Sequence, residues 1–278
     1  MRFRAPARDA VPRTALAHPV YASFARAPAL LDGPWPTLAD LNGMLGAPPH
    51  ERSGARLSFV EQTPALLEDG LHYEARIHEQ GRIATRADNW HDLFNALMWM
   101  ERRELKCAVN AAYVREAAAP RTVPRTRPQC ALTHFDEAGA VVILRDAALL
   151  APWDAHDWHG LLWRDRARWT AGATLVIFGH ALLEHQLLPR ATTVAKCVVV
   201  TGDVTTTAAR RQVADRIAAG QLLCDPGELR PLPLAGMPGW HPDNAHEDFY
   251  REAACFRPLR PGRRYPPPLE GASPGGHD

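Results

Sequence analysis

Long apolar runs are missing from this chain. Setting Pro and Gly aside, no unbroken apolar stretch exceeds five residues, Ala96 to Met100 being one of that length. A membrane-spanning helix needs about 20, so none is expected. Met1 to Pro6 (Met-Arg-Phe-Arg-Ala-Pro) has no apolar core of the kind a secretion signal needs. Cysteine is scarce: Cys107, Cys130, Cys197, Cys224 and Cys255 are an odd number with no Cys-x-x-Cys pair. That excludes a disulfide scaffold or a thiolate zinc site as the organising principle and points to a reducing, cytoplasmic location. No strong charge excess exists, since 32 basic and 31 acidic residues leave a formal net charge of +1. No global field therefore recruits nucleic acid or an anionic membrane. Two motif classes are absent as well, the Gly-Lys-Ser/Thr phosphate loop and Gly-x-Gly-x-x-Gly, and Gly-x-Ser-x-Gly occurs only as Gly271 to Gly275 in the Pro-rich C-terminal stretch, where no elbow is expected. With serine scarce, serine hydrolysis and nucleotide- or flavin-dependent chemistry are disfavoured. Lysine is nearly missing too, with only Lys106 and Lys196. Arg supplies the other cations in a chain equally rich in Ala and Pro, which reads as the bias of a GC-rich genome rather than as phosphate recognition.

What remains is ordinary globular composition: 278 residues, 46% hydrophobic and 23% charged. Residues 1–35, rich in Arg, Ala and Pro, read as an extended arm. Residues 36–256 read as one α+β domain, with a sub-boundary or crossing loop at the stiff connector 120–128. Residues 257–278 read as a disordered, basic, Pro-rich tail whose charge suits an acidic partner.

Within the domain, two β-hairpins are expected. In the first, Leu71, Tyr73, Ala75 and Ile77 alternate before Glu79-Gln80-Gly81, and Arg82 to Arg86 returns. In the second, Cys130 to Phe135 and Ala140 to Leu144 flank Asp136-Glu137-Ala138-Gly139, read as a type I turn with Gly139 in the left-handed position. Between them runs the strongest helix. Asn89 is its N-cap and Asp92 the third-position carboxylate of a capping box, while Trp90, Leu93, Phe94, Leu97 and Met98 share one arc. Late in the chain, Thr174 to Phe178, Gly179, His180 to Leu188 and Val194 to Val200 read as a strand–helix–strand unit. Together these indicate an α+β fold with a mixed sheet packed against several helices.

The run Asn89-Trp90-His91-Asp92-Leu93-Phe94-Asn95-Ala96-Leu97-Met98-Trp99 is distinctive. Taken with Thr133-x-Phe135-Asp136-Glu137, with Phe178-Gly179-His180 through Glu184, and with Pro238-Gly239-Trp240 onward to Phe256-Arg257-Pro258, it resembles a proteobacterial family classed as a domain of unknown function (family 3025). The resemblance covers roughly residues 30 to 258 and implies no established activity. Family members resemble an aromatic–proline step after this tryptophan. Here Met100-Glu101-Arg102-Arg103 stands instead, and an unbroken helix to about Ala117 is expected.

Several groups carry candidate chemistry. His180 sits where a buried strand hands over to a helix, and Glu184 lies about one turn on, so imidazole and carboxylate share a face and suit a metal or an acid–base pair. The alternative is a histidine that caps the helix and bonds Glu184. His91 and Asn95 share a face at the rim of the apolar arc and suit a cleft wall, or merely a solvated face. His134 and Asp136, two apart on a strand, suit a divalent cation or proton relay, although Asp136 and Glu137 are also ordinary turn residues. Lys196 interrupts an apolar strand, which reads as protection of a sheet edge, with an ion pair to Glu184 left open. Trp240, in a Pro-rich loop, suits the lid of a pocket or a loop pinned by one ring. In the catalytic reading, His180, Glu184 and His91 perform acid–base or metal-assisted hydrolysis on a small polar substrate, with Asn95, Trp240 and Lys196 as substrate contacts and a divalent metal held by His180, Glu184, His134 and Asp136. In the other, the same residues form caps and a buried polar network in a non-catalytic module.

Overall fold

The computed structural model describes residues 4–118, 125–188 and 192–271. Helix dominates, and the strands form a five-stranded mixed sheet plus a separate parallel pair, as the α+β composition requires.

The N-terminal segment is not an extended arm. Short helical turns at Arg8–Ala10, Arg13–Leu16, Pro19–Ser23 and Ala27–Leu31 wrap the domain. Val20, Tyr21, Phe24 and Leu30 are buried, and the Tyr21 hydroxyl donates to the Leu183 carbonyl at 2.8 Å. Apolar spacing this short has no period to read; burial comes only from the surface it meets.

Neither hairpin forms. β1 (Ser58–Glu61) pairs in parallel with β2 (Arg82–Thr85), and between them lies α1 (Tyr73–Gln80). The Leu71–Ile77 alternation also places Tyr73 and Ile77 one helical turn apart. Arg76 settles the competition, because its buried guanidinium grips Asp69 and is satisfied only on a helix. Gly81, read as a hairpin turn, is the left-handed C-cap (φ 70°) whose N–H donates to the Ile77 carbonyl.

The Asn89 side chain accepts from Asp92 N, starting α2 (Trp90–Glu101). The Asp92 carboxylate does not close a capping box; it takes the Arg86 backbone N–H and guanidinium instead. α2 stops at Arg102 (φ −136°, ψ 35°), and α3 (Arg103–Ala118) starts afresh. The expected continuous helix is therefore broken. The buried Arg102 guanidinium is recruited by the carbonyls of Ser23, Glu101 and Ile177 and lies over Phe24.

In place of the second hairpin, a Thr126–Gln129 capping box opens α4 (Arg127–Ala138), which runs directly into β3 (Gly139–Leu144). Asp136 and Glu137 are the last turn of this helix, not a β-turn. Gly139 is extended (φ −76°, ψ 151°) and not left-handed. It is glycine for clearance: a Cβ there would lie 2.1 Å from the Phe135 carbonyl oxygen. β4 (Ala173–Ile177) pairs antiparallel with β3; then come α5 (His180–His185), β5 (Val194–Thr201), α6 (Thr206–Ala218), β6 (Arg230–Pro233) and β7 (Leu269–Glu270). The order is β4-β3-β5-β6, with β7 also on β5. The strand–helix–strand unit exists, but β3 lies between its strands, and β4 is an edge with three half-buried residues rather than a buried strand.

Alternate residues of β3 and β5 enter two apolar layers, with Val142 and Val199 in one and Val141 and Val198 in the other. α2 packs in the first layer and α3, α4 and α6 in the second. Part of the expected disordered tail is ordered, since Leu269–Glu270 forms β7. Residues 272–278 of that tail and 119–124 of the basic connector lie outside the described residues. Among the described residues no helix is long and apolar enough to cross a membrane.

One loop makes stability pH-dependent. The buried His50 ring accepts at Nδ1 from the backbone N–H groups of Arg52 (3.3 Å) and Ser53 (3.1 Å). Burial, reinforced by His78, pushes its pKa down to about 4. The unfolded chain thus binds this proton more readily than the folded one, so stability is lost as pH falls from about 6.5 towards 4, by up to about 1.4 kcal/mol per pH unit. Urea unfolding of wild type and His50→Gln across that window should show the difference in slope; parallel curves would contradict it.

Candidate functional site

Because β3 and β4 are antiparallel, the start of one meets the end of the other, with Ala140 opposite Ile177. The last turn of α4 and the first turn of α5 are therefore side by side. The N–H groups of Phe178 (3.0 Å) and Gly179 (2.7 Å) both donate to the Gly139 carbonyl. Gly179 permits this approach, since a Cβ there would lie 2.4 Å from Gly139 N and 2.5 Å from Ala138 Cα. Glu137 and His180 are brought together by this junction. α2 packs across α5 and supplies His91 from its first turn.

The imidazoles meet edge to face, with His91 Nε2 and His180 Nε2 3.0 Å apart. Glu137 Oε2 is 3.4 Å from His180 Nε2. On the far side of each ring stands a carboxylate: Glu184 Oε2 is 3.1 Å from His91 Nδ1, and Asp136 Oδ2 is 3.9 Å from His180 Nδ1. The Glu184 hydrogen bond favours a proton on His91 Nδ1, whereas His180 Nδ1 is buried without a hydrogen-bond partner and feels Asp136 as a nearby charge; with both protons at Nδ1 each Nε2 lone pair points inward. Two lone pairs and a carboxylate oxygen facing one point repel one another unless a proton or a metal cation lies between them. Two imidazole nitrogens bound cis to one zinc-sized ion, at about 2.0–2.1 Å each, stand about 2.9–3.3 Å apart. Ligand atoms of His91, Glu137 and His180 all lie within 4.8 Å of one another.

The charges agree with that geometry. Burial drives the His180 pKa down to about 3, overcoming the favourable Asp136 carboxylate, so this ring is neutral. The hydrogen bond to Glu184 raises His91 above its ordinary value. Burial raises Glu137, helped by the nearby Asp136 and Glu184 charges and opposed by His91. Burial also pushes the Asp136 carboxyl upward, but Lys106 Nζ at 2.6 Å outweighs it and the net shift is down. Glu74 is raised by burial and by Asp136, and donor Asn110 Nδ2 holds it at 2.6 Å. Four carboxyl groups thus share a small space with the Lys106 ammonium and two imidazoles, a balance that a further cation would correct.

Asp136, Glu137, Tyr73 and Glu74 also line one end of a cleft of about 620 Å³ between α1, α3 and α4. Asn95 reaches it through Tyr73, donating from Nδ2 to the phenol oxygen at 2.8 Å.

The sequence-expected residues therefore divide. His91, His180, Glu184 and Asp136 converge, with Asn95 one contact away. The expected His180–Glu184 ligand pair does not form, because Glu184 turns to His91. His134 does not join Asp136: on a helix, residues two apart point to different sides, and His134 lies in the field of Lys196 instead. Lys196 is not on an edge, since β5 lies between β3 and β6, and Glu184 is not its partner. Trp240 is no lid for this site; its ring packs edge-on to His18, whose Nε2 lies 2.9 Å from the Trp240 carbonyl oxygen. Lys106, Tyr73 and Glu74 were missed. The one available signal was Lys106, one of only two lysines, set between Leu105 and Cys107 in an apolar helical stretch.

Residues 57–260 match the model of a family described as a protein of unknown function, DUF3025. That is most of the chain, and the chain belongs to this family, as the sequence resemblance implied. No curated protein and no solved structure matches.

Proposed function

We propose that this DUF3025 member holds a divalent cation on His91, His180 and Glu137 and uses it for hydrolysis of a small polar substrate bound in the adjoining cleft. The observation behind this is the convergence of two imidazole nitrogens, each with a carboxylate on its far side, on the carboxylate of Glu137, which also lies on the wall of that cleft. In this reading Glu184 is a positioning residue that fixes the tautomer of His91, and Asp136 supports His180 as a nearby negative charge. Lys106 keeps Asp136 ionised. Three protein ligands leave a coordination position for water, as catalytic zinc sites do, and a bound cation lowers the pKa of that water towards neutrality. Glu74, with its raised pKa, is placed on the cleft wall to carry the proton. All five cysteines are unpaired, which supports a reducing, cytoplasmic setting.

The second reading, a structural network, draws on the internal pairs Lys106–Asp136 and His91–Glu184. Zinc titration of chelator-treated protein separates the two. At a free zinc concentration about 100 times Kd, wild type should gain about 2.7 kcal/mol of stability, read as a rise in Tm. Glu137→Gln and His180→Ala should lose most of that rise. Melting that is indifferent to metal in wild type, or equal gains in both variants, would assign the cluster to structure alone.

A further inference from the structure

A second cleft, of about 640 Å³, opens where β5 and β6 meet the segment following residue 255. Its lining includes Lys196, Arg257, Arg260 and Arg263, and no acidic residue is among the lining groups. Among the described residues none of these four cations forms an ion pair with a carboxylate. Arg127, also on this wall, differs in being matched by Asp225.

Lys196 is the informative member. Its neighbours in the sheet are Gly139 on β3 and Pro231 on β6, so its ammonium rises from an interior strand. Lys196 is half-buried, and a cation that loses part of its hydration is ordinarily compensated by a carboxylate. Here burial lowers the Lys196 pKa, and Arg260, Arg257 and Arg263 lower it further. The fold brings cations to this lysine where a carboxylate would be expected.

The arrangement is held in place. The Arg257 carbonyl accepts from Trp158 Nε1 at 2.7 Å, and His156 Nε2 lies 2.8 Å from the Tyr265 hydroxyl. The Arg230 guanidinium donates to the Pro266 carbonyl at 2.6 Å, and β7 beyond it joins β5. Arg263 lies over the Tyr265 ring, 4.4 Å from its centroid, and donates to the Gly227 carbonyl. The chain is thus strapped across the sheet by its backbone, leaving the Arg257 and Arg260 side chains exposed beside Lys196. Preorganised cations in a cleft with apolar walls suit a compact polyanion, and guanidinium groups suit phosphate oxygens in particular. The volume is in the range of small-molecule sites, about 300–1,000 Å³.

We infer that this cleft binds a small molecule carrying two or more phosphate groups, with Lys196 on its floor and Arg257, Arg260 and Arg263 on its wall. The site is separate from the histidine cluster and does not depend on the metal reading.

The test is calorimetric titration of the full chain with inorganic pyrophosphate. Wild type should bind with Kd tighter than about 1 mM, and more weakly as salt is raised. The Arg257→Ala/Arg260→Ala double variant, altered at exposed positions where the one hydrogen bond lost is a long, exposed one from Arg257 Nε to the Ala254 carbonyl (3.4 Å), should stay close to wild-type melting and lose affinity at least about tenfold. Lys196→Met should lose a comparable factor, and Glu137→Gln should bind as wild type does. Absence of pyrophosphate binding, or unchanged affinity in the double variant, would overturn the assignment. So would a single-stranded oligonucleotide binding more than about tenfold tighter than pyrophosphate through the same arginines, because the surface would then be a nucleic-acid track.

Discussion

Lys106→Met should destabilise the protein by about 3–5 kcal/mol, the range seen when one partner of a buried ion pair is removed. The Lys106 side chain is only 5% exposed and its ammonium is 2.6 Å from Asp136. Methionine keeps an unbranched apolar side chain and removes the ammonium, which also lies over the Trp99 and Phe178 rings at 5.3 and 6.0 Å from their centroids, so the loss reports charge rather than packing. Without the ammonium, burial pushes the Asp136 carboxyl upward against only the weaker pull of His180 and His91. Denaturant unfolding of Lys106→Met, Asp136→Asn and the double variant forms the cycle that checks this. The double variant should recover much of the loss, since it leaves no uncompensated buried charge. Additive losses would mean that the two groups do not share one interaction. The same lysine variant should bind zinc more weakly, because an Asp136 carboxyl pushed upward gives less negative charge beside His180.

Gly179→Ala should have a comparable effect by a wholly steric route. The new Cβ would meet backbone atoms of Ala138 and Gly139 at 2.4–2.5 Å. Backbone cannot swing aside as a side chain can, so the end of α4 and the start of α5 must separate. Overpacking of this kind costs about 1–3 kcal/mol, and here the upper end is expected. The functional consequence is sharper, because the junction sets the 3.4 Å separation of His180 from Glu137. Zinc affinity should drop about 10–100-fold, the range associated with disturbed metal surroundings, although no ligand has been changed. Unfolding and zinc titration on the same sample measure both. A variant that folds with wild-type stability and affinity would show that the junction has slack and that the glycine is incidental.

Some of this was legible from residue order. The apolar arc of α2 and its Asn89 cap gave a helix at the right place, because period and cap are local. The runs at 139–144, 173–177 and 194–201 are strands, as continuous apolar character suggested. His180 stood out at the handover from strand to helix, Glu184 one turn on from it, and His91 at the rim of the apolar arc. The hairpins failed for a physical cause. Leu71–Ile77 and Cys130–Phe135 satisfy two periodicities over so few residues, and the decision fell to groups just outside those runs, Asp69 for Arg76 and the Thr126–Gln129 box for α4. The glycines at 81, 139 and 179 were marked correctly as breaks, but their meanings differ: one is a left-handed cap and two are clearances for backbone.

By itself, the order of residues determined that the chain folds around a mixed α+β core, which segments are apolar enough to be strands, and which imidazoles and carboxylates are available for chemistry. Only the tertiary structure decided who meets whom. It turned Glu184 from His180 to His91, brought Glu137 and Lys106 into the cluster, sent His134 away, and moved Lys196 from an edge to the floor of a separate cationic cleft. The reason is range. Caps, periods and strand runs act over a few residues, whereas a metal-like convergence or a charge imbalance depends on distances across elements that only sheet register and helix packing set.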